Sequence, residues 1–462
     1  MGVSAVVLSR LFEPFLEEKP VCVMARTALE RLLDSKHLDQ LFERTAQQQY
    51  TRELLFSSLV ELMCQVVLGL QPSVHAAYKN LADQLQVSDQ AVYDKLQHLE
   101  LAVSAAVVHD SAARSEPIIR ALRARLPSWL PGYRVKILDG NHLAATEHRI
   151  EELRTTWAAP LPGKCLAVLD QQLMTVTDVL LTEDGHAQER SLLEAVLPLI
   201  RRRDLWVADR NLATVQFIFG LDDRGACFVL RQHGQLRGKL IGRRKAKGRC
   251  DTGWVFEQRM QVYRGDGTAL VLRRITVELD KPTRDGDTEL HLLTNVPVKA
   301  APARKVAELY LKRWTIEGLF LEVAQTLECE IDTLCYPKAA LFAFCMGLLA
   351  CNAVALLKAA LRAAQGRKQV TQNLSAYYLT LEIRQTYTGM MVAIPPRHWK
   401  EFGRMSVAEF AQVLKEMASR VSLAKYGKHP RGPKKKQPPR RRYRNGEHIA
   451  TFQVLEARKS HK

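Results

Sequence analysis

The sequence predicts an α/β protein: a mixed sheet with a β-rich insertion, preceded by an all-helical N-terminal region. Three observations predict it. Residues 1 to about 130 carry helix-period apolar residues and few strand signals. Between residues 134 and 211, short apolar runs follow one another in the order β, β, β, α, β. Residues 225–300 then read as a block of strands before helical periodicity returns.

Within the helical region, YKNLADQLQVSDQAVYDKLQHL (78–99) has the spacing of a helix-turn-helix. Leu81, Ala82 and Leu85 form the first helix, Ser88 caps the second, and Val92 and Leu96 anchor it. The second helix presents Asp89, Gln90, Tyr93 and Asp94 outward, and two acids suit DNA poorly. DNA reading and plain helical packing stand as equal alternatives.

The α/β part begins with RVKILDGNH (134–142), an apolar strand that stops at Asp139. CLAVLDQQ and LMTVTDVLL, between 165 and 181, supply two further strands. AQERSLLEAVLPLIRRR (187–203) reads as one helix, and DLWVADRN (204–211) as a buried strand ending in Asp209. In an open sheet, chemistry collects just past strand ends, where side chains leave the packing. The strand block contains CFVLR, WVFEQRMQVY, ALVLRRITVEL and LHLLTNVP. The expected divisions are 1–130 helical, 131–224 first part of the core, 225–300 insertion, 301–365 core helices, 366–424 helical C-terminal region and 425–462 basic tail.

The 462 residues carry a formal net charge of +18, which points to a polyanionic partner. Ten Lys or Arg lie between Lys425 and Arg444 without one acid, among them Lys434, Lys435, Lys436, Arg440, Arg441 and Arg442. A second acid-free run, Arg237 to Arg249, carries seven and includes Arg243, Arg244 and Lys245. Both suit a string of phosphates. Nine scattered cysteines with no CxxC pair indicate neither a disulfide framework nor a zinc module, and fit a reducing cytoplasm. The N-terminus lacks the apolar run of a signal peptide. AALFAFCMGLLACNAVALL (339–357) is uncharged, and its Ala, Gly, Asn and Cys content favours a buried core helix over a membrane span.

The stretch YLKRWTIEGLF (310–320) is the most specific motif. On a helix, Tyr310, Arg313 and Glu317 share one face within about 60°. Leu309, Ile316, Leu319, Phe320, Val323 and Leu327 form the apolar stripe beside it. Arg313 and Glu317 should thus ride half-buried on its edge. Asp139, Asp209 and Glu317 together are the carboxylates that two divalent cations require for displacement at phosphorus. Singly, Asp139 can open a turn with Gly140, and Asp209 can pair with Arg210.

On these residues the chain resembles DDE transposases of the insertion-sequence-four type, over roughly residues 70–360. The family signature Tyr-x2-Arg-x3-Glu-x6-Lys is matched by Tyr310, Arg313 and Glu317, with Trp314 and Ile316 completing RWxIE. Its Lys position holds Ala324. The resemblance implies a ribonuclease-H-like core, Asp139, Asp209 and Glu317 as catalytic metal ligands, and two Mg²⁺ ions that Mn²⁺ can replace. It further implies double-stranded DNA ends and target as partners, a homodimer in the DNA complex, and Tyr310 and Arg313 on DNA phosphate. No membrane or small-molecule substrate is expected, and the setting is the nucleoid-associated cytoplasm. Arg210 and Arg231 are added as phosphate contacts, against ordinary surface pairing. Trp254 is assigned to core packing, with stacking on an extruded base as the alternative. A non-catalytic DNA-binding derivative and a ribonuclease-H-like nuclease are the competing functions.

Overall fold

The computed structural model describes residues 10–49, 53–283, 286–318, 320, 327, 329–428 and 447–460. The helical N-terminal part comprises α1 (Glu13–Glu18), α2 (Pro20–Leu32), α3 (Ser35–Thr45), α4 (Phe56–Val67), α5 (Val74–Leu85), α6 (Asp89–His98) and α7 (Leu101–Ala121). Ser73 and Ser88 cap α5 and α6 through their hydroxyls, each accepting from a backbone N–H three residues on. Val92 and Leu96 of α6 are wholly buried, while Asp89 binds His75 and Gln90 binds Asp94 at the surface.

Nine strands form one mixed sheet: β1 (Arg134–His142), β3 (Lys164–Asp170), β4 (Thr175–Thr182), β5 (Asp204–Ala208), β6 (Cys227–Arg231), β7 (Lys239–Cys250), β8 (Gly253–Tyr263), β9 (Ala269–Leu279) and β10 (Glu289–Thr294). A three-residue strand, β2 (Ala159–Leu161), lies apart. The order is β4-β3-β1-β5-β6-β10-β9-β8-β7. β5 runs parallel to β1 and β6 parallel to β5; every other neighbouring pair is antiparallel. Only the three central strands therefore end side by side.

The remaining described helices are α8 (Leu193–Val196), α9 (Val215–Asp223), α10 (Ala303–Leu311), α11 (Pro337–Gln365), α12 (Arg367–Asn373), α13 (Ala376–Ala393), α14 (Pro396–Arg404), α15 (Val407–Ser419) and α16 (Thr451–Ser460). α10 covers one face of the sheet, where Val135, Leu205, Val207 and Val229 meet Val306 and Leu309. α9 covers the other, against Leu138, Trp206 and Leu230. α11 is the one described helix long and apolar enough to cross a membrane, and that apolar stretch is wholly buried, as its composition predicts.

The middle of α11 holds a polar exception. Asn352, fully buried, accepts from the backbone N–H of Val176 at 2.8 Å and donates to the Val176 carbonyl at 3.0 Å and Ser111 Oγ at 2.8 Å. One amide thus ties α11 to β4 and α7. Asn352→Ala strands these groups without water, at a cost on the order of 3 kcal/mol. Thermal unfolding should occur several degrees lower; an unchanged midpoint would show that the link is dispensable.

Several expectations need correction. β1 does not stop at Asp139 but continues to His142, paired with Lys164 of β3. Residues 187–203 are not one helix: two 3₁₀ turns flank the single turn of α8, and Pro198, with no N–H and a fixed φ, sits where the helix fails. α9 was not foreseen. The Arg237–Arg249 run lies within the strand block, as expected, and is largely its edge strand, β7. The supposed C-terminal tail returns to the sheet domain: β11 (His448–Ala450) pairs parallel with β2, and Arg458 of α16 bonds Glu152. The basic segment is therefore bounded on both sides by anchored structure. Lys434, Lys435, Lys436, Arg440, Arg441, Arg442 and the Ala324 position lie outside the described residues. Trp254 is 48% exposed on β8, so it is not a core residue.

Candidate active site

Strand register brings the first two acids together. Leu138 of β1 is level with Ala208 of β5, and Ala208 with Leu230 of β6. One residue on, Asp139, Asp209 and Arg231 follow in a row on neighbouring strands about 4.8 Å apart. Side chains at equivalent places along parallel strands leave the same face, here the face that α10 covers. Asp139 is thus a strand end toward β5, although β1 itself continues.

The 310–317 segment meets this row from above. α10 ends at Leu311, the chain turns at Lys312 and Arg313, and helical backbone resumes over 314–318. The break directs Leu309 into the core beneath α10 and Ile316 into the core shared with α11. Tyr310 donates its hydroxyl to Asp209 Oδ1 at 2.8 Å. Arg313 donates Nη1 to Asp139 Oδ2 at 2.5 Å and Nη2 to Glu317 Oε1 at 2.8 Å. Tyr310 thus holds one aspartate, and Arg313 bridges the other to Glu317. Arg313 is only 6% exposed rather than half-buried, because two carboxylates draw it inward, while the Glu317 side chain is half exposed.

The electrostatics follow from that burial. Desolvation, reinforced by the charges of Glu317 and Asp209, pushes Asp139 up to about 7 despite the opposing Arg313. Tyr310 is raised by burial and by neighbouring Asp209. Arg313 is desolvated, yet Asp139 and the other acids hold its proton more firmly than usual. Arg313 Nε is buried and has no hydrogen-bond partner among the described residues.

Hard oxygen donors on rigid elements suit Mg²⁺ or Mn²⁺, and the cation already bridging Asp139 and Glu317 shows that positive charge fits between them. Among the described residues, no three acidic, histidine or cysteine side chains are grouped closely enough to hold a metal ion. The guanidinium stands between two of the three expected ligands.

The expected phosphate contacts are distributed differently. Arg231 bonds Asp287 at 2.5 Å, and Arg210 approaches the same carboxylate at 3.7 Å. Asp287, which sequence reasoning missed, is held below the ordinary carboxylate range mainly by its bond to Arg231. No local motif marks it; its loop reaches the site through the antiparallel pairing of β10 with β6. Arg244 lies over the Phe256 ring at 4.0 Å and pairs with Glu278 and Glu289. Arg243 and Lys245 are exposed on the same edge strand.

The site is thus a mixed sheet with two carboxylates level at parallel strand ends, clamped by a Tyr and an Arg from one helix–turn segment. Residues 130–353, close to half the chain, match the family described as "Transposase DDE domain". Over that stretch the chain is similar to a DDE transposase domain. No curated protein matches the sequence. Among solved structures, the piggyBac transposase synaptic complex with hairpin DNA is similar at 9% identity and a TM-score of 0.38, with 86% of each chain covered. So low a score transfers nothing from that complex to this chain.

Proposed function

We propose that the protein is a transposase of the insertion-sequence-four type that cleaves the ends of its element and joins the freed 3′-hydroxyl to target DNA. The observation that carries this is that one segment holds all three acids, Tyr310 bonding Asp209 and Arg313 joining Asp139 to Glu317. The run β4-β3-β1-β5-β6, three antiparallel strands followed by two parallel to the first, supports a ribonuclease-H-like core. β7 to β10 extend that sheet and make up the 225–300 insertion apart from its first strand, β6, which belongs to the core run. The proposed divisions remain 1–130, 131–224, 225–300, 301–365 and 366–424; the last region, 425–462, is read as a basic segment plus a returning strand and helix.

Asp139, Asp209 and Glu317 would hold two Mg²⁺ ions, or Mn²⁺ in their place. Metal held by these carboxylates would supply Lewis-acid activation of the attacking oxygen and charge neutralisation at the leaving one. Arg313 then exchanges a carboxylate for a DNA phosphate, a partner its planar guanidinium fits equally well. Tyr310 orients Asp209 and can turn its hydroxyl to the same phosphate. Arg231 and Arg210 neutralise the next phosphate once it displaces Asp287. Arg243, Arg244 and Lys245 give the duplex a basic edge. α5 and α6 present Asp89, Gln90 and Asp94, so DNA contact is assigned to the basic surfaces instead. The homodimeric DNA complex and the nucleoid setting come from the family resemblance.

A supercoiled-plasmid nicking assay with Mg²⁺ or Mn²⁺ tests this reading. Wild type should nick and relax plasmid; metal-independent binding without any nick would sink the catalytic reading. For the basic segment, excising residues 429–446 is cleaner than truncation, which would also remove β11 and α16. Its loss should weaken DNA affinity and flatten the salt dependence. An unaltered slope would show that the segment binds no phosphate.

A further inference from the structure

β1 runs three residues past Asp139, and those residues have a neighbouring strand on one side only. β5 pairs with β1 as far as Leu138, opposite Ala208, whereas β3 pairs on to His142, opposite Lys164. The unpaired side of Gly140, Asn141 and His142 therefore opens over the strand ends where Asp139 and Asp209 stand.

Strand alternation puts Asn141 on the face of Asp139, two residues and about 7 Å further along. Cross-strand partners share a face. Those of Asn141 and Asp139 are Cys165 and Ala167, and both lie in the buried cluster that holds Ile316 and Phe320. Asn141 is thus on the side of the site toward the segment that carries Glu317.

The neighbouring polar groups are committed. Tyr310 bonds Asp209, Arg313 bonds Asp139 and Glu317, and Arg231 bonds Asp287. Asn141 is not: it is half-buried, and among the described residues its amide has no hydrogen-bond partner. Neither amide atom is sealed from solvent, so a ligand can reach both. The strand beneath is held from behind. Gly140 faces the other way and leaves the room that Glu189 fills, since a methyl there would lie 2.3 Å from Glu189 Oε1. Glu189 also approaches His142 Nε2 at 3.8 Å, and Lys164 gives its ammonium to the Ala187 carbonyl.

We propose that Asn141 contacts the substrate, its Nδ2–H donating to a non-bridging oxygen of the phosphodiester that Arg313 takes up. This rests on the phosphodiester reading given above. The residue type suits the place. A neutral amide gives a phosphate oxygen a charge-assisted bond without drawing a carboxylate to itself, as a second guanidinium would. A donor fixed on a strand before DNA arrives also needs little reorganisation during the reaction.

The test is the plasmid nicking assay on Asn141 variants, run beside duplex binding, thermal unfolding and Mn²⁺ titration. Asn141→Ala should slow nicking at saturating enzyme by roughly ten- to a hundredfold. Duplex affinity and the unfolding midpoint should not change, because the side chain bonds nothing within the protein. Asn141→Ser, which keeps a shorter donor, should recover part of the loss. Asn141→Asp, of the same shape but without a donor when ionised, should fall below Asn141→Ala. Nicking by Asn141→Asp at or above the wild-type rate, with tighter Mn²⁺ binding, would make the residue a metal ligand and overturn the proposal. So would a lowered midpoint that tracks the loss of nicking in all three variants, which is a structural role. Wild-type nicking in Asn141→Ala would mean a merely solvated amide and refute the contact while leaving the Asp139 site standing. Failure of the wild type itself to nick would instead bring down the phosphodiester reading, and this contact with it.

Discussion

Asp139→Ala, Asp209→Ala and Glu317→Gln should each abolish plasmid nicking, by about a thousandfold or more, and leave DNA binding largely intact. The reason is geometric: each removes one oxygen donor from a cluster in which Tyr310 and Arg313 fix the positions of the other two. The same cluster sets a pH dependence. Asp139, normally near 3.8, is pushed up to about 7 by burial. Its raised value means that the folded protein holds this proton more tightly than the unfolded chain. The contribution to stability is therefore full below the ordinary value and declines as pH rises toward 7. Without metal, thermal stability should fall between about pH 4 and 7, and Asp139→Asn should flatten that fall. Nicking should instead rise with pH through the same range, because only the carboxylate takes a cation. Retained nicking in any one variant would remove that residue from the catalytic set.

Arg313→Gln should move two readouts in opposite directions. The guanidinium binds Asp139 and Glu317 together, so without DNA it competes with divalent cations for those oxygens. Removing it should tighten Mn²⁺ binding about tenfold in the DNA-free protein, since a charge-assisted bond contributes roughly 1.5–3 kcal/mol. Cleavage should meanwhile fall by about a hundredfold through loss of the phosphate contact. Mn²⁺ titration followed by electron paramagnetic resonance measures the first, and the plasmid assay the second. Weaker Mn²⁺ binding in Arg313→Gln would mean that Arg313 only holds the carboxylates in place.

How much of this was legible in the sequence varies with the physics involved. Asp139 and Asp209 were visible because each closes an apolar run, and Glu317 because the RWxIE stretch has helical spacing. The row they form with Arg231 was not, because register between strands depends on pairings distant in sequence. Arg313 was misjudged as half-buried: helical projection assumes an unbroken helix, and the turn at 312–313 rotates the side chain inward. The α9 segment VQFIFGLDD escaped because a short, mostly apolar run resembles a buried strand as much as a helix. Trp254 looked like core because aromatic residues in strands usually are; only the open face of the extended sheet leaves it exposed.

Crystals of the protein with DNA and Mn²⁺, measured at an energy where manganese scatters anomalously, address the main claim most directly. Two anomalous peaks should lie about 2.2 Å from carboxylate oxygens of Asp139, Asp209 and Glu317, with Arg313 turned onto a phosphate. Peaks elsewhere, or Arg313 still bridging Asp139 and Glu317 beside bound DNA, would contradict it.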